Sequence, residues 1–235
     1  MKRRIKEALS ALVVPGYWPA LRRGVVPGVE HGRAFVGRDF ATVLDVGANK
    51  GQFAAFAHHR WPDARLVCFE PLPGPRSKLE AILGTGAQVQ AVALGNHDGE
   101  AEMHLASRED SSSLLPLGDS QKRLFSMDEE RVVSVPVRRL ETVIKVGRLE
   151  RPALLKIDVQ GFEFETLEGA ASLLDDVDAV YVECSFVELY AGQKLAGDVA
   201  AFLRGFGLIE TGRFNLCRLG GRDIQADLLF ERAAS

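Results

Sequence analysis

Cysteine is scarce in this chain. Its three cysteines, Cys68, Cys184 and Cys217, lie far apart among 235 residues and form no C-x-x-C pair. Neither a disulfide framework nor a cysteine-based zinc site is therefore expected. Two of the three lie in or next to predicted strands, which indicates buried thiols in a reducing compartment. The predicted location is the cytoplasm.

Long apolar runs and a strong net charge are also missing. No apolar stretch approaches the roughly 18–20 residues that a membrane-spanning helix needs. The net charge of −3 provides no broad surface for nucleic acid. We therefore predict neither a transmembrane segment nor a nucleic-acid partner.

The first residues are basic and then briefly apolar. Lysine and arginine dominate residues 2–6, and the apolar residues that follow are interrupted by Pro15 and Gly16. This stretch is short for a secretory signal. It predicts an amphipathic helix that packs on the domain or caps a ligand cleft. A weak contact with a membrane surface is the alternative.

Residues 42–70 carry the clearest pattern. An apolar strand over Thr42–Val46 runs into the turn Gly-Ala-Asn-Lys-Gly at 47–51, and a helix over 52–60 and a second strand over 65–69 follow. Glycine lets the backbone approach a ligand closely, and a helix N-terminus offers N–H groups to an anion. This order of elements predicts a ligand site at the turn.

Two acids flank the turn. Asp45 precedes it, and Glu70 follows the second strand. A carboxylate in the position of Glu70 can accept hydrogen bonds from ribose hydroxyls, and Asp45 is placed to bind a ligand ammonium. S-Adenosylmethionine combines an ammonium, a carboxylate, a ribose and an adenine, so it is the ligand that this pattern favours.

Two alternatives stay open at this point. The dinucleotide fingerprint G-x-G-x-x-G is absent, since only Gly47 and Gly51 remain of it, and this weakens an assignment as an NAD-dependent oxidoreductase or epimerase. A non-catalytic module with the same fold is the other alternative, in which the acids are solvated strand ends.

The remaining periodicity predicts one α/β domain. Apolar strands alternate with helices, and the last two strands are too close for a helical crossover, so they form an antiparallel edge hairpin. We predict a Rossmann-like, doubly wound, seven-stranded sheet over residues 42–235, preceded by a helical and loop-rich lead-in over residues 1–41. Further strands are predicted at 89–94, 100–106, 132–137, 153–157, 179–182, 208–211 and 226–230, and further helices at 75–83, 139–144, 162–174 and 197–206.

The middle of the chain is less regular. Residues 89–94 and 100–106 flank the turn cluster 95–99, which predicts a hairpin or an added edge strand. Residues 107–131 are polar and irregular, which is typical of a lid, a binding loop or a disordered segment. His104 lies just before them and is the histidine that we would test as a base, with a half-exposed strand histidine of no catalytic role as the alternative.

Acids also end two later strands, at the edge where open α/β sheets bind ligands. Asp158 is the leading candidate to bind an ammonium, orient an acceptor hydroxyl, act as a base or hold a cation, and an N-cap for the next helix is its structural alternative. Glu183 ends the neighbouring strand. Together these two acids are candidates to hold Mg²⁺, because hard cations prefer oxygen ligands.

Two further charges accompany Asp158. Lys156 lies on the same face of its strand, so we predict that it pairs with Asp158 or with Glu183, either to position an acid or as a structural ion pair. Glu163 is predicted to be a solvated acid in the first turn of the next helix, with a contact to the acceptor or to Asp158 as the alternative. Three aromatics are predicted core residues, with an acceptor pocket as the alternative: Tyr181, Phe186 and Tyr190.

Several short motifs together resemble the FkbM-type family of class I methyltransferases, which use S-adenosylmethionine. The most specific is Lys-Ile-Asp-Val-Gln-Gly-Phe-Glu at 156–163, and the others are the turn at 45–51, Glu70-Pro71, Ala93-Leu94-Gly95 and the serine loop at 111–114. The resemblance spans about residues 40–232. It implies the class I methyltransferase fold and O-methylation of a hydroxyl on a sugar, glycan or secondary metabolite.

The site residues that follow from the pattern and the resemblance fall into two groups. The predicted catalytic residues are Asp158, Glu183 and His104. The predicted cofactor contacts are Asp45, Gly47, Asn49, Gly51, Gln52, Phe53, Glu70, Pro71, Ala93, Leu94, Ser112 and Asp158. Apart from the Mg²⁺ candidates Asp158 and Glu183, no metal site is predicted. The oligomeric state is left open, with a homodimer as one option.

Overall fold

A computed structural model describes residues 9–232 of the chain. The strands are β1 Thr42–Val46, β2 Arg65–Phe69, β3 Gln88–Gln90, β4 Ala93–Leu94, β5 Gly99–Ala106, β6 Glu129–Arg138, β7 Ala153–Ile157, β8 Ala179–Ser185, β9 Leu208–Leu219 and β10 Arg222–Arg232. The α-helices are α1 Trp18–Leu21, α2 Gln52–Arg60, α3 Pro73–Leu83, α4 Asp119–Phe125, α5 Leu140–Val143, α6 Glu163–Glu168 and α7 Ala196–Arg204. Short 3-10 helices include Val29–Phe35, Glu109–Ser111 and Ala171–Asp176.

The main sheet has seven strands in the order β3-β2-β1-β7-β8-β10-β9. The first five strands in this order, β3, β2, β1, β7 and β8, run parallel to one another. Strand β10 is antiparallel to both β8 and β9. The prediction of a doubly wound seven-stranded sheet with an antiparallel edge pair is therefore confirmed. Both strands of this pair are longer than predicted. The tight turn at Gly220-Gly221 lets β9 extend to Leu219 and β10 begin at Arg222.

Side chains alternate across this sheet, so each strand contributes to two different cores. Leu44 and Val46 pack with residues of α6 and α7, whereas Val43 packs with residues of α2 and α3. The same alternation places four charged side chains on the α2 face. Asp45 of β1 pairs in register with Lys156 of β7, and Glu183 of β8 pairs in register with Asp227 of β10. The four side chains therefore form a row across four adjacent strands.

The structure corrects the prediction for residues 89–106. These residues do not form a hairpin or a single strand: β3 belongs to the main sheet, whereas β4 and β5 pair with β6 in a separate three-stranded sheet. The second sheet forms because β6 carries apolar residues on one side that pack against Met103 and Ala93. The polar stretch 107–131 is also more ordered than expected, since it contains α4 and the start of β6.

The helix predicted over 162–174 is divided at Gly169. The α-helix ends at Glu168, and a 3-10 helix resumes at Ala171. A Cβ atom at Gly169 would lie 1.9 Å from the carbonyl oxygen of Gly95. The chain comes this close because the second sheet packs on this turn.

The lead-in packs on the outside of α2. Phe35 and Phe40 are buried and make edge-on ring contacts with Trp61. The predicted leading helix lies partly outside the described residues, and residues 9–12 are helical. No helix within residues 9–232 is both long and apolar enough to cross a membrane.

Candidate active site

A cleft of about 630 Å³ opens at the carboxyl ends of the parallel strands. Its floor is the glycine turn and the tips of β7 and β8, and the edge pair β9–β10 forms one side. Residues 108–127, called the cap below, and residues 24–31 of the lead-in form the remaining walls. The described structure therefore brings together residues from both ends of the chain.

The glycine turn is shaped by close backbone packing. Gly47 has a φ of +75°, and a Cβ atom there would lie 1.9 Å from the carbonyl oxygen of Asp158. The backbone N–H of Gly47 donates to the carbonyl oxygen of Phe69 at 3.1 Å. Only glycine allows this approach, so the turn is held against the tips of both neighbouring strands.

Glu70 fastens the other side of the turn. Its carboxylate accepts hydrogen bonds from the N–H groups of Asn49 at 2.9 Å and Leu72 at 2.8 Å. The side chain is buried, and burial raises the pKa of Glu70 to about 7 in spite of those two hydrogen bonds. Each oxygen keeps further lone pairs, which are available to a diol in the cleft.

The residues present fit the donor that the sequence predicts. Gln52 opens α2, lines the cleft, and has a buried amide oxygen without a hydrogen-bond partner among the described residues. Such an oxygen is an acceptor for a ligand N–H, and the start of α2 offers N–H groups to a carboxylate. The predicted cofactor residues that line the cleft are Gly47, Asn49, Gln52, Phe53, Glu70, Pro71, Ala93, Leu94, Ser112 and Asp158.

Asp45 and Gly51 lie behind the cleft wall. Asp45 is fully buried, and its Oδ1 forms an ion pair with Nζ of Lys156 at 3.0 Å. The carboxylate thus meets an ammonium, but one that belongs to the protein. At Gly51, whose φ is +91°, a Cβ atom would lie 2.9 Å from the side chain of Leu79, so this glycine serves helix packing.

Lys156 has a different main partner from the predicted one. It pairs with Asp45, and Asp158 Oδ2 lies farther away at 4.0 Å. Burial alone would lower the pKa of Lys156, but the charges of Asp45 and Asp158 outweigh it and raise that pKa. Lys156 therefore stays charged, and it lines the cleft between two carboxylates.

Gln160 connects the two predicted catalytic acids. Its Nε2 donates to Oδ1 of Asp158 at 2.7 Å and to Oε2 of Glu183 at 2.8 Å. Gln160 has a φ of +57°, a conformation that a side-chain-bearing residue rarely adopts without compensation. The structure thus joins Asp158 and Glu183 in one cluster, as the sequence predicts, through a residue that the sequence analysis did not select.

The compensation comes from Glu163. Its carboxylate accepts hydrogen bonds from the N–H groups of Val159 at 3.1 Å and Gly161 at 3.0 Å. The prediction of a solvated acid is wrong, since Glu163 is buried and burial raises its pKa to about 7. Glu163 therefore fixes the loop that presents Asp158 and Gln160.

The acid cluster favours a proton over a cation. Burial and the nearby charges of Asp158 and Asp227 raise the pKa of Glu183 well above its usual range. The amide N–H group of Gln160 stands between the two acids where Mg²⁺ would need oxygen. Within residues 9–232, no group of three or more His, Cys, Asp or Glu side chains is arranged to hold a metal, and the Mg²⁺ site stays a prediction.

His104 lies outside the cleft. Its Nδ1 is 2.8 Å from Oε2 of Glu129 on β6, and its backbone pairs with Ser113. The neighbouring Met103 lines the cleft instead, because side chains alternate along β5. The geometric reason for a base at His104 is therefore removed.

Other polar groups of the cleft were missed by the sequence analysis. His31, Asn215 and Asp227 all line it. Asp227 stands in the otherwise apolar stretch of residues 226–230, the same signal that drew attention to Lys156, and could have been selected on that ground. His31 lies in a Pro- and Gly-rich stretch and carries no such signal.

Tyr190 joins the cap to the acid cluster. Its hydroxyl donates to Oε1 of Gln160 at 2.8 Å, is 3.1 Å from the carbonyl oxygen of Ser111, and accepts from Nε2 of Gln121 at 3.3 Å. The ring is buried in a small apolar cluster with Leu117. Tyr190 is thus a core residue, and its hydroxyl holds the cap in register with Gln160.

Comparison with known proteins decides the family of the chain. The model of the methyltransferase FkbM domain matches residues 45–209. The chain belongs to the FkbM methyltransferase family. Family and fold together identify an S-adenosylmethionine-dependent methyltransferase domain, in preference to the NAD-dependent alternative.

Several curated proteins are similar to this chain. It is 28% identical to the 2-O-methyltransferase NoeI of Sinorhizobium fredii, over 71% of this chain and 72% of that protein. It is 29% identical to the 31-O-demethyl-FK506 methyltransferase FkbM of Streptomyces tacrolimicus, over 70% of this chain and 71% of that protein. The chain spans 65% of the Methyltransferase 1 of Beauveria bassiana, at 28% identity over 62% of this chain.

Two further comparisons concern the domain alone. The chain is 35% identical to AMB antimetabolite synthetase AmbE of Pseudomonas aeruginosa over 64% of its own length but only 8% of that protein. The crystal structure of a methyltransferase FkbM from Methylobacillus flagellatus superposes with a TM-score of 0.53 at 14% identity, over 81% of this chain and 43% of that chain. This likeness shows the fold and confirms the predicted class I methyltransferase fold.

Proposed function

We propose that this protein transfers the methyl group of S-adenosylmethionine to a hydroxyl group of a sugar, glycan or secondary-metabolite acceptor. The observation that carries the proposal is the position of the acid cluster, beside the glycine turn and within the same cleft. The similarity to NoeI and FkbM, both O-methyltransferases, supports the same reaction.

The donor end of the cleft comprises the glycine turn, Gln52 and Glu70. Glu70 would accept hydrogen bonds from the ribose hydroxyls, and the start of α2 would offer N–H groups to the donor carboxylate. Lys156 and Asp158 define the boundary with the acceptor end. The donor supplies a methyl group on a sulfonium, which leaves as a neutral thioether.

The acceptor end is rich in hydrogen-bond acceptors. Asp158, Glu183 and Asp227 line it together with the amides of Asn215 and Gln225. Carboxylates and amide oxygens orient hydroxyl groups, and they repel phosphates and carboxylates on a competing molecule. Holding the hydroxyl in line with the methyl group is the main contribution of these residues, since the methyl group is already activated.

The first test is donor binding. Calorimetric titration with S-adenosylhomocysteine is expected to show saturable binding, weakened at least tenfold in Glu70→Ala. Glu102→Gln, on the exposed side of β5, is the control and leaves the dissociation constant unchanged. Absence of binding to the wild-type protein contradicts the proposal.

The second test concerns the acceptor. Wild-type protein is incubated with donor carrying a ¹³C-labelled methyl group and with one candidate acceptor at a time. The acceptors are hydroxylated polyketides and the methyl glycosides of neutral sugars. Mass spectrometry is expected to show one added labelled methyl group, and NMR places it on oxygen. Transfer to nitrogen or carbon alone contradicts O-methylation, although it leaves the donor assignment standing.

A further inference from the structure

The lead-in, β8 and the edge pair meet in one polar network at the side of the cleft. Nδ1 of His31 lies 3.0 Å from the hydroxyl of Tyr181 and 3.4 Å from Oδ2 of Asp227. Oδ2 of Asp227 also accepts hydrogen bonds from the Tyr181 hydroxyl at 2.9 Å and from Nδ2 of Asn215 at 2.7 Å. His31 and Asp227 line the cleft.

The hydrogen-bond donors in this network fix which nitrogen of His31 carries a proton. The Tyr181 hydroxyl gives its proton to Asp227, so it faces His31 with an oxygen lone pair. Burial alone would raise the pKa of Asp227, but hydrogen bonds from His31, Asn215 and Tyr181 outweigh it and lower that pKa. Nδ1 thus faces two acceptors, the Tyr181 oxygen and Oδ2 of Asp227. Its third neighbour, Nδ2 of Asn215 at 3.4 Å, donates its shorter hydrogen bond to Asp227 at 2.7 Å. The proton of a neutral His31 therefore lies on Nδ1.

This tautomer leaves the other ring nitrogen basic. Nε2 of His31 has no hydrogen-bond partner among the described residues, and Oε1 of Glu30 lies 3.9 Å away. The ring is held in place by edge-on contacts with Phe53 and Tyr181. A fixed imidazole with one nitrogen bound to a carboxylate network and the other unprotonated is the arrangement of a general base.

The acids of the central cluster are less suited to that task. Asp158 accepts a hydrogen bond from Gln160 on Oδ1, and its Oδ2 lies 4.0 Å from the ammonium of Lys156, so both of its oxygens already face donors of the protein. Glu183 accepts a hydrogen bond from the same Gln160 amide. Burial and the neighbouring acids raise the pKa of Glu183 well above its usual range, which favours its protonated form, and a protonated carboxyl group cannot act as a base. The ordinary pKa of an imidazole lies near neutral pH, whereas that of a carboxyl group lies at about 4. A general base works best when its pKa is close to the pH at which the enzyme operates.

We propose that His31 is the general base for the acceptor hydroxyl and that Asp227 and Tyr181 are its positioning residues. This assignment rests on the proposed O-methylation. The hydroxyl oxygen forms a bond to the donor methyl carbon while the carbon–sulfur bond breaks and its electron pair stays on sulfur. The hydroxyl proton passes to Nε2 of His31, and the resulting imidazolium loses it to water in the open cleft.

The test combines kinetics with NMR. Single-turnover methyl transfer is measured with the acceptor that the wild-type protein methylates in the acceptor screen. His31→Gln is expected to lower the rate at least 100-fold, with an unchanged dissociation constant for S-adenosylhomocysteine. His97→Gln, a histidine in the exposed turn after β4, is the matched control and keeps the wild-type rate.

Two readouts separate base catalysis from a structural role. In His31→Ala, added imidazole is expected to increase the rate of methyl transfer at least tenfold. The ¹⁵N spectrum of histidine-labelled protein above neutral pH is expected to show His31 protonated at Nδ1 only, and Asp227→Asn is expected to redistribute that proton between the nitrogens. These spectra need no acceptor.

Each contrary result has a distinct meaning. A His31→Gln rate within threefold of wild type, or a proton on Nε2 in the wild-type spectrum, overturns the assignment of the base. A rate loss that imidazole does not restore, in a protein with normal donor binding, assigns His31 a structural role and also overturns it. A wild-type protein that methylates no hydroxyl refutes the proposed function instead, and the base assignment with it.

Discussion

At the scale of single residues, a charged side chain buried at or behind the cleft depends on the partner with which it is paired. Lys156 and Asp45 come from neighbouring strands in direct register, and the sheet buries both. Neither charge tolerates that environment alone. Whether this pair only stabilises the sheet or also sets the charge at the donor end can be decided by removing one partner and then both.

Lys156→Met is expected to destabilise the protein by about 3–5 kcal/mol, because it leaves the carboxylate of Asp45 buried without a countercharge. Adding Asp45→Leu should recover most of that loss, because a packed apolar pair needs no desolvation. Urea unfolding measures both effects. If the double variant is stable and binds S-adenosylhomocysteine normally, the pair is structural, and if binding is lost the pair serves the donor site.

Gly47 provides a second test at the residue scale. Gly47→Ala places a Cβ atom against the carbonyl oxygen of Asp158, whereas Gly37→Ala, at a similar φ of +70°, meets no atom within 4 Å. Gly37→Ala should cost about 1–2 kcal/mol for the backbone conformation alone. Gly47→Ala should cost roughly 1–3 kcal/mol more. Equal unfolding free energies for the two variants would show that the turn relaxes away from Asp158.

Among the elements, the loop between β7 and α6 has the largest influence on the site. Glu163 accepts hydrogen bonds from backbone N–H groups of this loop. Tyr190 donates to the Gln160 side chain, and its hydroxyl also contacts Ser111 and Gln121 of the cap. Gln160 in turn connects Asp158 and Glu183. The cap and the acid cluster are therefore mechanically coupled through one amide group.

Tyr190→Phe tests this coupling. Loss of the hydroxyl removes the contacts with Gln160, Ser111 and Gln121 while the ring still fills its apolar cluster. Hydrogen exchange should become faster in the cap and in residues 158–161, and remain unchanged in β1 and β7. Tyr17→Phe, at a tyrosine outside the cleft wall, is the control, and equal exchange in the two variants would contradict the coupling.

At the scale of the whole molecule, folding buries several carboxyl groups around one site. Glu70 and Glu163 are each buried, and burial raises the pKa of each from 4.5 to about 7. The pKa of Glu183 is raised in the same direction. The folded protein thus binds protons more tightly than the unfolded chain at these positions.

Stability should therefore fall as the pH rises between 4.5 and about 7. The contribution of these carboxyls is fully present below pH 4.5 and is lost as the pH passes their folded pKa, on the order of 1–3 kcal/mol for each group. Urea unfolding at a series of pH values measures the slope. Glu163→Gln should reduce it, and a slope that Glu163→Gln does not change would contradict the assignment.

Much of the fold follows from local sequence patterns. The strands Thr42–Val46 and Arg65–Phe69, the glycine turn between them and the final antiparallel pair are specified by apolar periodicity, glycine and short spacing. Residues 89–106 could not be assigned correctly, because their pairing depends on β6, which lies beyond the cap in sequence. Strand pairing over that distance has no local signal.

By itself, the sequence determined the glycine turn with its two flanking acids and the two acids near the ends of β7 and β8. Each depends on residues close to a strand end, where position along the chain also gives position in space. Only the tertiary structure decided that Lys156 pairs with Asp45, and that His31 meets Tyr181, 150 residues away. Those contacts arise from how separate elements pack, and a buried polar group takes whichever partner the packing brings within hydrogen-bond distance.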